Sequence, residues 1–278
     1  MPVGSAESPA LKAVLLDMDG VLFHGERALP DAAEFMRFIA PMPHGFVTNN
    51  PVSTPQRLAE KLRRLGLGFP DPDRIVTSAE ATAEWLSREK PGFRYFAVGG
   101  EGLHVALAKV GSEDSERADY VVIGEGRGLD YDSLTTGINL VLGRGAGLVS
   151  TNPDVTVDSV VNGRRLVLPG GGALAAPFSV ATGVEPVVIG KPEPALFRMA
   201  LARLGVEPGD CVMVGDRPDT DILGAQRLGM RTALVRTGRF APSDPLPAGV
   251  APDWDVDSLG ELMACWSKGD EIPGAFRE

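Results

Sequence analysis

The sequence predicts an α/β protein built on a doubly wound parallel sheet. Three observations carry this. Short continuous apolar runs alternate with amphipathic helical stretches along the whole chain. The runs do not alternate apolar with polar, as is expected of strands buried on both faces. Several stop abruptly at acidic, amide or lysine residues, where an open α/β sheet presents ligand-binding groups. A length of 278 residues suits one large domain or two ordinary ones, and 44% apolar with 23% charged residues supports a sizeable core.

The organising stretch is Val14-Leu15-Leu16-Asp17-Met18-Asp19-Gly20-Val21-Leu22. Three apolar residues run into Asp17, and Asp19 follows two positions on. Both carboxylates should face the crevice, with Met18 pointing away. Gly20 allows a sharp turn where a side chain would block a ligand. A calcium loop would need a third oxygen ligand before its glycine and a distant Glu, which this stretch lacks.

Further along, Ala32 to Ile39 forms a short helix with an apolar stripe. Gly45-Phe46-Val47-Thr48-Asn49-Asn50 is a second buried strand with a polar end. Ser53 or Thr54 caps a helix that has Pro55 in its first turn, Leu58, Leu62 and Leu65 on its apolar face, and Gly66 as its stop. Ile75-Val76-Thr77 is a strand, and Ser78 opens a helix through Trp85 and Leu86.

From about Lys90 the rhythm restarts. Strands are expected at Tyr95–Gly99, Tyr120–Gly124 and Gly147–Ser150, with helices around Leu103–Leu107 and Ser133–Leu142 between them. Asn152-Pro153-Asp154 is turn chemistry, and Pro169-Gly170-Gly171-Gly172 is a loop opening an Ala-rich helix. This middle segment reads as an insertion with its own small α/β core. The first rhythm then resumes with a strand Pro186–Lys191, a helix from Pro194 to Gly205, a strand Cys211–Asp216, a helix from near Asp221 to Gly229, and strands at Thr232–Val235 and Trp254–Val256.

Composition narrows the function. A formal net charge of −10 argues against nucleic acid or an anionic membrane as partner. No run is long enough to span a bilayer, and Met1 to Ala10 does not read as a signal peptide, so the cytoplasm is the expected location. Cys211 and Cys265 make neither a disulfide framework nor a metal site, and Cys211 reads as a core residue. The glycine-rich stretches at 124–128 and 143–147 match no nucleotide-binding spacing and read as loops. His24 could line the entrance to the crevice.

Four strand ends collect the chemistry: Asp17 with Asp19, Thr48 with Asn49 and Asn50, Lys191, and Asp216 followed by Asp219 and Asp221. Each has a plain structural alternative. Thr48-Asn49-Asn50 could be only a turn, Lys191 a surface lysine, and Asp219 and Asp221 helix caps. If the strands are parallel neighbours, all four ends meet at one edge. Packed carboxylates repel, and a divalent cation with a nearby lysine relieves that. An all-oxygen donor set suits magnesium.

The same residues carry a resemblance. Asp17-Met18-Asp19-Gly20-Val21, Thr48-Asn49-Asn50, Lys191 after Gly190, and Gly215-Asp216-Arg217-Pro218-Asp219-Thr220-Asp221 stand in the order of the four motifs of the haloacid dehalogenase (HAD) superfamily. The long insertion, together with Ser150-Thr151-Asn152-Pro153-Asp154, resembles the NagD-like, p-nitrophenyl phosphatase branch. The resemblance implies a HAD-like Rossmannoid core formed by 1–80 and 185–278, with an α/β cap at 81–184. It implies a Mg²⁺-dependent phosphatase of small phosphorylated metabolites: nucleoside monophosphates, sugar or glycerol phosphates, or pyridoxal phosphate. A homodimer through the cap is implied on the same ground.

In that family pattern Asp17 attacks phosphorus and forms an aspartyl phosphate. Asp19 protonates the leaving oxygen and later deprotonates water, and crowding by carboxylates should raise its pKa from about 3.9 toward what a general acid needs. Asp17, Asp216 and the main-chain carbonyl of Asp19 hold Mg²⁺, with Asp221 and Asp219 supporting the metal shell or holding Lys191. The Thr48 hydroxyl, the Asn49 N–H and Lys191 bind the phosphoryl oxygens, Asn50 belonging to the same loop. In the cap, Asn152, Asp154 and the loop at 170–172 could touch substrate, or could be turns. The rivals are a dehalogenase or phosphomutase on the same fold, and a sensor that binds a phosphorylated ligand without turnover. A sensor needs no nucleophile with an acid partner.

Overall fold

The computed structural model describes residues 11–161 and 164–268. The reading of Met1 to Ala10 falls outside these residues. The chain divides into two compact units, one of Met1–Phe46, Gly66–Gly68 and Leu201–Glu278, the other of Val47–Leu65 and Phe69–Ala200.

In the first unit, parallel strands lie in the order Trp254–Val256, Arg231–Val235, Cys211–Gly215, Ala13–Leu16 and His44–Thr48, the last crossing into the second unit at Val47. Ala13–Leu16 is central and wholly buried, as its unalternated apolar run demands. The chain builds outward from it on one side with His44–Thr48 and later on the other with Cys211–Gly215. The strand order therefore reverses between Ala13–Leu16 and Cys211–Gly215. Such a switch point opens a crevice at the carboxyl ends of the two strands. The helix Ala32–Ile39 buries Phe35, Met36 and Ile39, and Trp266 of the helix Leu259–Lys268 packs against Phe35 in a tilted pair with ring centroids 5.8 Å apart.

The second unit has its own parallel sheet in the order Val187–Val188, Gly147–Ser150, Tyr120–Ile123, Arg94–Val98 and Ser112–Glu113. Val121, Ile123, Leu140, Leu148 and Phe178 form its core. Thr54 caps the helix Pro55–Arg64 by accepting from the Arg57 N–H at 3.3 Å. The Ala-rich helix runs Gly171–Thr182 with Gly170 as its N-cap, and Pro169 ends the preceding strand, so the loop expected at 169–172 is the single residue Gly170.

Two readings need correction. Pro186–Lys191 does not resume the first sheet: only Val187–Val188 is strand, and it pairs with Gly147–Ser150 at the edge of the second sheet. Lys191 thus sits in a loop, so three rather than four polar groups close strands of the first sheet. The stretch 156–169 is an antiparallel hairpin, Thr156–Val161 with Arg164–Pro169, that went unread. Its sequence signal was the Asn162-Gly163 pair between two β-prone runs. Among the described residues no helix is long and apolar enough to cross a membrane.

Cys211 is fully buried in the central sheet, and desolvation pushes its thiol up to about 12. Cys265, half-buried, differs. Ellman titration of the native protein should therefore detect one reactive thiol, with the second appearing only on denaturation. Two rapid thiols in the native state would contradict the burial of Cys211.

Candidate active site

In the first unit, carboxylate oxygens of Asp17, Asp216 and Asp221 lie within 4.8 Å of one another, and all three residues are buried. Asp17 follows Leu16 directly, and its N–H donates to the Val214 carbonyl at 2.9 Å, which ties the start of this loop to the neighbouring strand. Asp216 follows Gly215 at the end of that strand. Asp221 sits in a π-helical turn, Pro218–Ile222, a distortion that recurs at functional sites. Its Oδ2 accepts from the Arg217 N–H at 3.1 Å, and a side chain at Gly215 would strike it.

Two glycines wall in Asp216. A Cβ at Gly20, whose φ is +83°, or at Gly238 would run into the Asp216 carboxylate. The loop after strand Arg231–Val235 closes over the site: the Thr237 hydroxyl donates to the Gly20 carbonyl at 2.6 Å, and the Arg239 N–H to Asp216 Oδ2 at 3.3 Å. Arg236 holds this loop by donating to Asp255 at 2.6 and 2.8 Å and to the carbonyls of Ala241 and Asp244. Neither Gly238 nor Thr237 was singled out in the sequence. Their signal was the one used elsewhere, polar and glycine residues at a strand end.

Met18 is buried, as expected of the residue between the two aspartates. Asp19 is exposed, and its side chain is not among the three clustered carboxylates. Asp219 is exposed and pairs with Arg217 at 2.8 Å, outside the cluster. His24 is exposed, with Nε2 2.9 Å from the Thr237 carbonyl.

The second unit assembles the amide and lysine residues. Thr48 is buried at the end of its strand, and its Oγ1 accepts from the Asn50 N–H at 3.2 Å. The Asn50 side chain shapes the turn by accepting from the N–H groups of Val52 (2.8 Å) and Ser53 (3.2 Å). Asn49 brackets the main chain of Lys191: its Oδ1 accepts from the Lys191 N–H at 2.7 Å, and its Nδ2 donates to the Lys191 carbonyl at 3.1 Å. That Nδ2 also donates to Asp154 Oδ2 at 3.1 Å. Lys191 is buried and its Nζ donates to the Val47 carbonyl at 3.3 Å. Asn152, fully buried, donates to the Asn49 carbonyl at 2.8 Å and to Glu125 Oε1 at 2.9 Å. Asn152 and Asp154 therefore form an internal network around Asn49. Glu125, read as part of a loop, is a buried member of it.

Buried carboxylates gathered at the switch point of a parallel α/β sheet mark the ligand-binding crevice of an α/β protein. Residues 14–113 match the family model of haloacid dehalogenase-like hydrolases, and 188–262 match a second, HAD-hydrolase-like model. The chain is 38% identical over 257 residues to the acid sugar phosphatase of Staphylococcus aureus strain USA300, covering 91% of this chain and 97% of the relative. It is similar to NagD from Escherichia coli K-12 (TM-score 0.80, 32% identity, 91% of this chain and 98% of that one). It is likewise similar to a p-nitrophenyl phosphatase from Archaeoglobus fulgidus (TM-score 0.83, 31% identity, 92% and 100%). The chain belongs to the haloacid dehalogenase-like hydrolases, in their NagD-like, p-nitrophenyl phosphatase branch. It is an enzyme of the phosphatase class.

Proposed function

We propose that this enzyme is a Mg²⁺-dependent phosphatase that releases phosphate from small phosphomonoesters through an aspartyl phosphate on Asp17. The observation that carries the reading is the trio of buried carboxylates within 4.8 Å at the switch point. Three negative charges so close are costly without a cation, and hard oxygen donors fit Mg²⁺. Asp17, Asp216 and the Asp19 carbonyl would hold the ion, with Asp221 in support; when bound, it screens the nucleophile's charge from the phosphate's.

The chain's own residues supply the remaining chemistry. Asp17 forms a bond to phosphorus as the ester P–O bond breaks, and Asp19 gives its proton to the departing oxygen. Asp19 then takes a proton from water, which attacks the same phosphorus, and Asp17 leaves as a carboxylate. The Thr48 hydroxyl and Asn49 N–H donate to the phosphoryl oxygens, and Lys191 offsets their charge. The insertion acts as a cap that excludes water and, by its bulk, large phosphoproteins.

The test is phosphate release from a panel of metabolite phosphates, with sugar phosphates first because of the acid sugar phosphatase relative. Release should require Mg²⁺, vanish in EDTA and return when Mg²⁺ is restored. Release that persists in EDTA would overturn the metal role.

A further inference from the structure

Among the buried polar side chains of the second unit that the proposed chemistry does not use, Asn152 and Glu125 are hydrogen-bonded to each other. Asn152 is 0% and Glu125 5% exposed. Asn152 directs its Nδ2 to the Asn49 carbonyl (2.8 Å) and to Glu125 Oε1 (2.9 Å), while its Oδ1 accepts from the Asp154 N–H (3.1 Å). An amide has two donor hydrogens and one acceptor oxygen, and every one of them is engaged. A carboxylate can only accept, so Glu125 dictates which way the Asn152 amide faces. Asn49, held by its carbonyl, in turn brackets the Lys191 main chain on both sides with its own amide.

We propose that Asn152, oriented by Glu125, is a positioning residue for the phosphate-binding loop, acting on Lys191 through Asn49 rather than by touching substrate. This rests on the reading of Thr48, Asn49 and Lys191 as phosphoryl-binding groups. Ser78 reinforces the same point, its hydroxyl donating to the Asn49 carbonyl at 2.6 Å. Ser78 and Asn152 thus both donate to this one carbonyl, and Asn152 is the one tied to the buried Glu125.

The test combines kinetics with hydrogen–deuterium exchange. Asn152→Ala should lower kcat by about 100-fold, the scale of a displaced catalytic group. The loss should be equal for three phosphomonoesters with unlike leaving groups, with KM little changed. Peptides covering 47–53 and 189–193 should exchange faster. Glu125→Ala should act in the same direction, Glu125→Gln, whose amide oxygen can still accept, should lose less than Glu125→Ala, and the Glu125→Ala/Asn152→Ala double variant should be no worse than Asn152→Ala alone. A KM rise confined to one substrate would make Asn152 a substrate contact, and losses that multiply would break the link to Glu125; either overturns the proposal, as does unchanged exchange. If Asn152→Ala does not fold, the contrast between Glu125→Ala and Glu125→Gln decides. If the wild-type enzyme releases no phosphate from any ester, the functional reading fails, and exchange alone decides the positioning role.

Discussion

Asp17→Asn should lower phosphate release by on the order of 10⁴-fold or more while leaving the fold intact. The substitution keeps the shape and the main-chain bond from Asp17 to the Val214 carbonyl, so the strand end has no reason to move. It removes the atom that would attack phosphorus. It also removes one of three buried charges within 4.8 Å of one another. At an effective dielectric of about 20, each such pair repels by about 3 kcal/mol. Without metal the variant should therefore melt at or above the wild-type temperature. Added Mg²⁺ should raise its Tm less than it raises that of the wild type. Thermal scans with and without Mg²⁺, beside steady-state kinetics, check both halves. Full activity would exclude the covalent route, and a large fall in Tm would make Asp17 a structural residue.

Gly20→Ala should cost at least about 100-fold in kcat/KM, because the new methyl group takes the place of the Asp216 carboxylate. Part of the effect on stability is backbone strain, since φ is +83° and a left-handed conformation costs an alanine about 1–2 kcal/mol. Gly66 provides the control. Its φ is +74°, yet a Cβ there meets nothing within 4 Å. Gly66→Ala should show comparable strain in thermal melts with unchanged kinetics. If the two variants lose activity equally, strain explains the loss and the wall around Asp216 is irrelevant to catalysis.

Parallel strands and their polar ends were legible because each is local. A buried strand must be apolar throughout, and the residue that follows it must face the crevice, so Ala13–Leu16, Cys211–Gly215 and the aspartates after them could be read directly. A cap at Ser53 or Thr54 and the stop at Gly66 were legible for the same reason, and the structure uses Thr54. Val187–Val188 misled because an apolar run carries no label for the sheet it joins, and two sheets were available. The carboxylate trio was half legible. Asp17 and Asp216 follow strands, whereas Asp221 was singled out over Asp219 only through the family resemblance, and the structure brings it in by a π-helical turn that folds its side chain back on Gly215.

The sequence by itself determined the fold class, the loop that carries Asp17 and Asp19, and the identity of the polar groups that end the strands, because hydrophobic period and backbone stereochemistry act over a few residues. Only the tertiary structure decided the partners of those groups. Asn49 lies 103 positions from Asn152 and 142 from Lys191, and Thr237 lies 217 from Gly20. Hydrogen bonds over such separations leave no pattern in the chain. They exist because burial strips water from the donors and acceptors and obliges each to find a partner, and which partner it finds is set by packing.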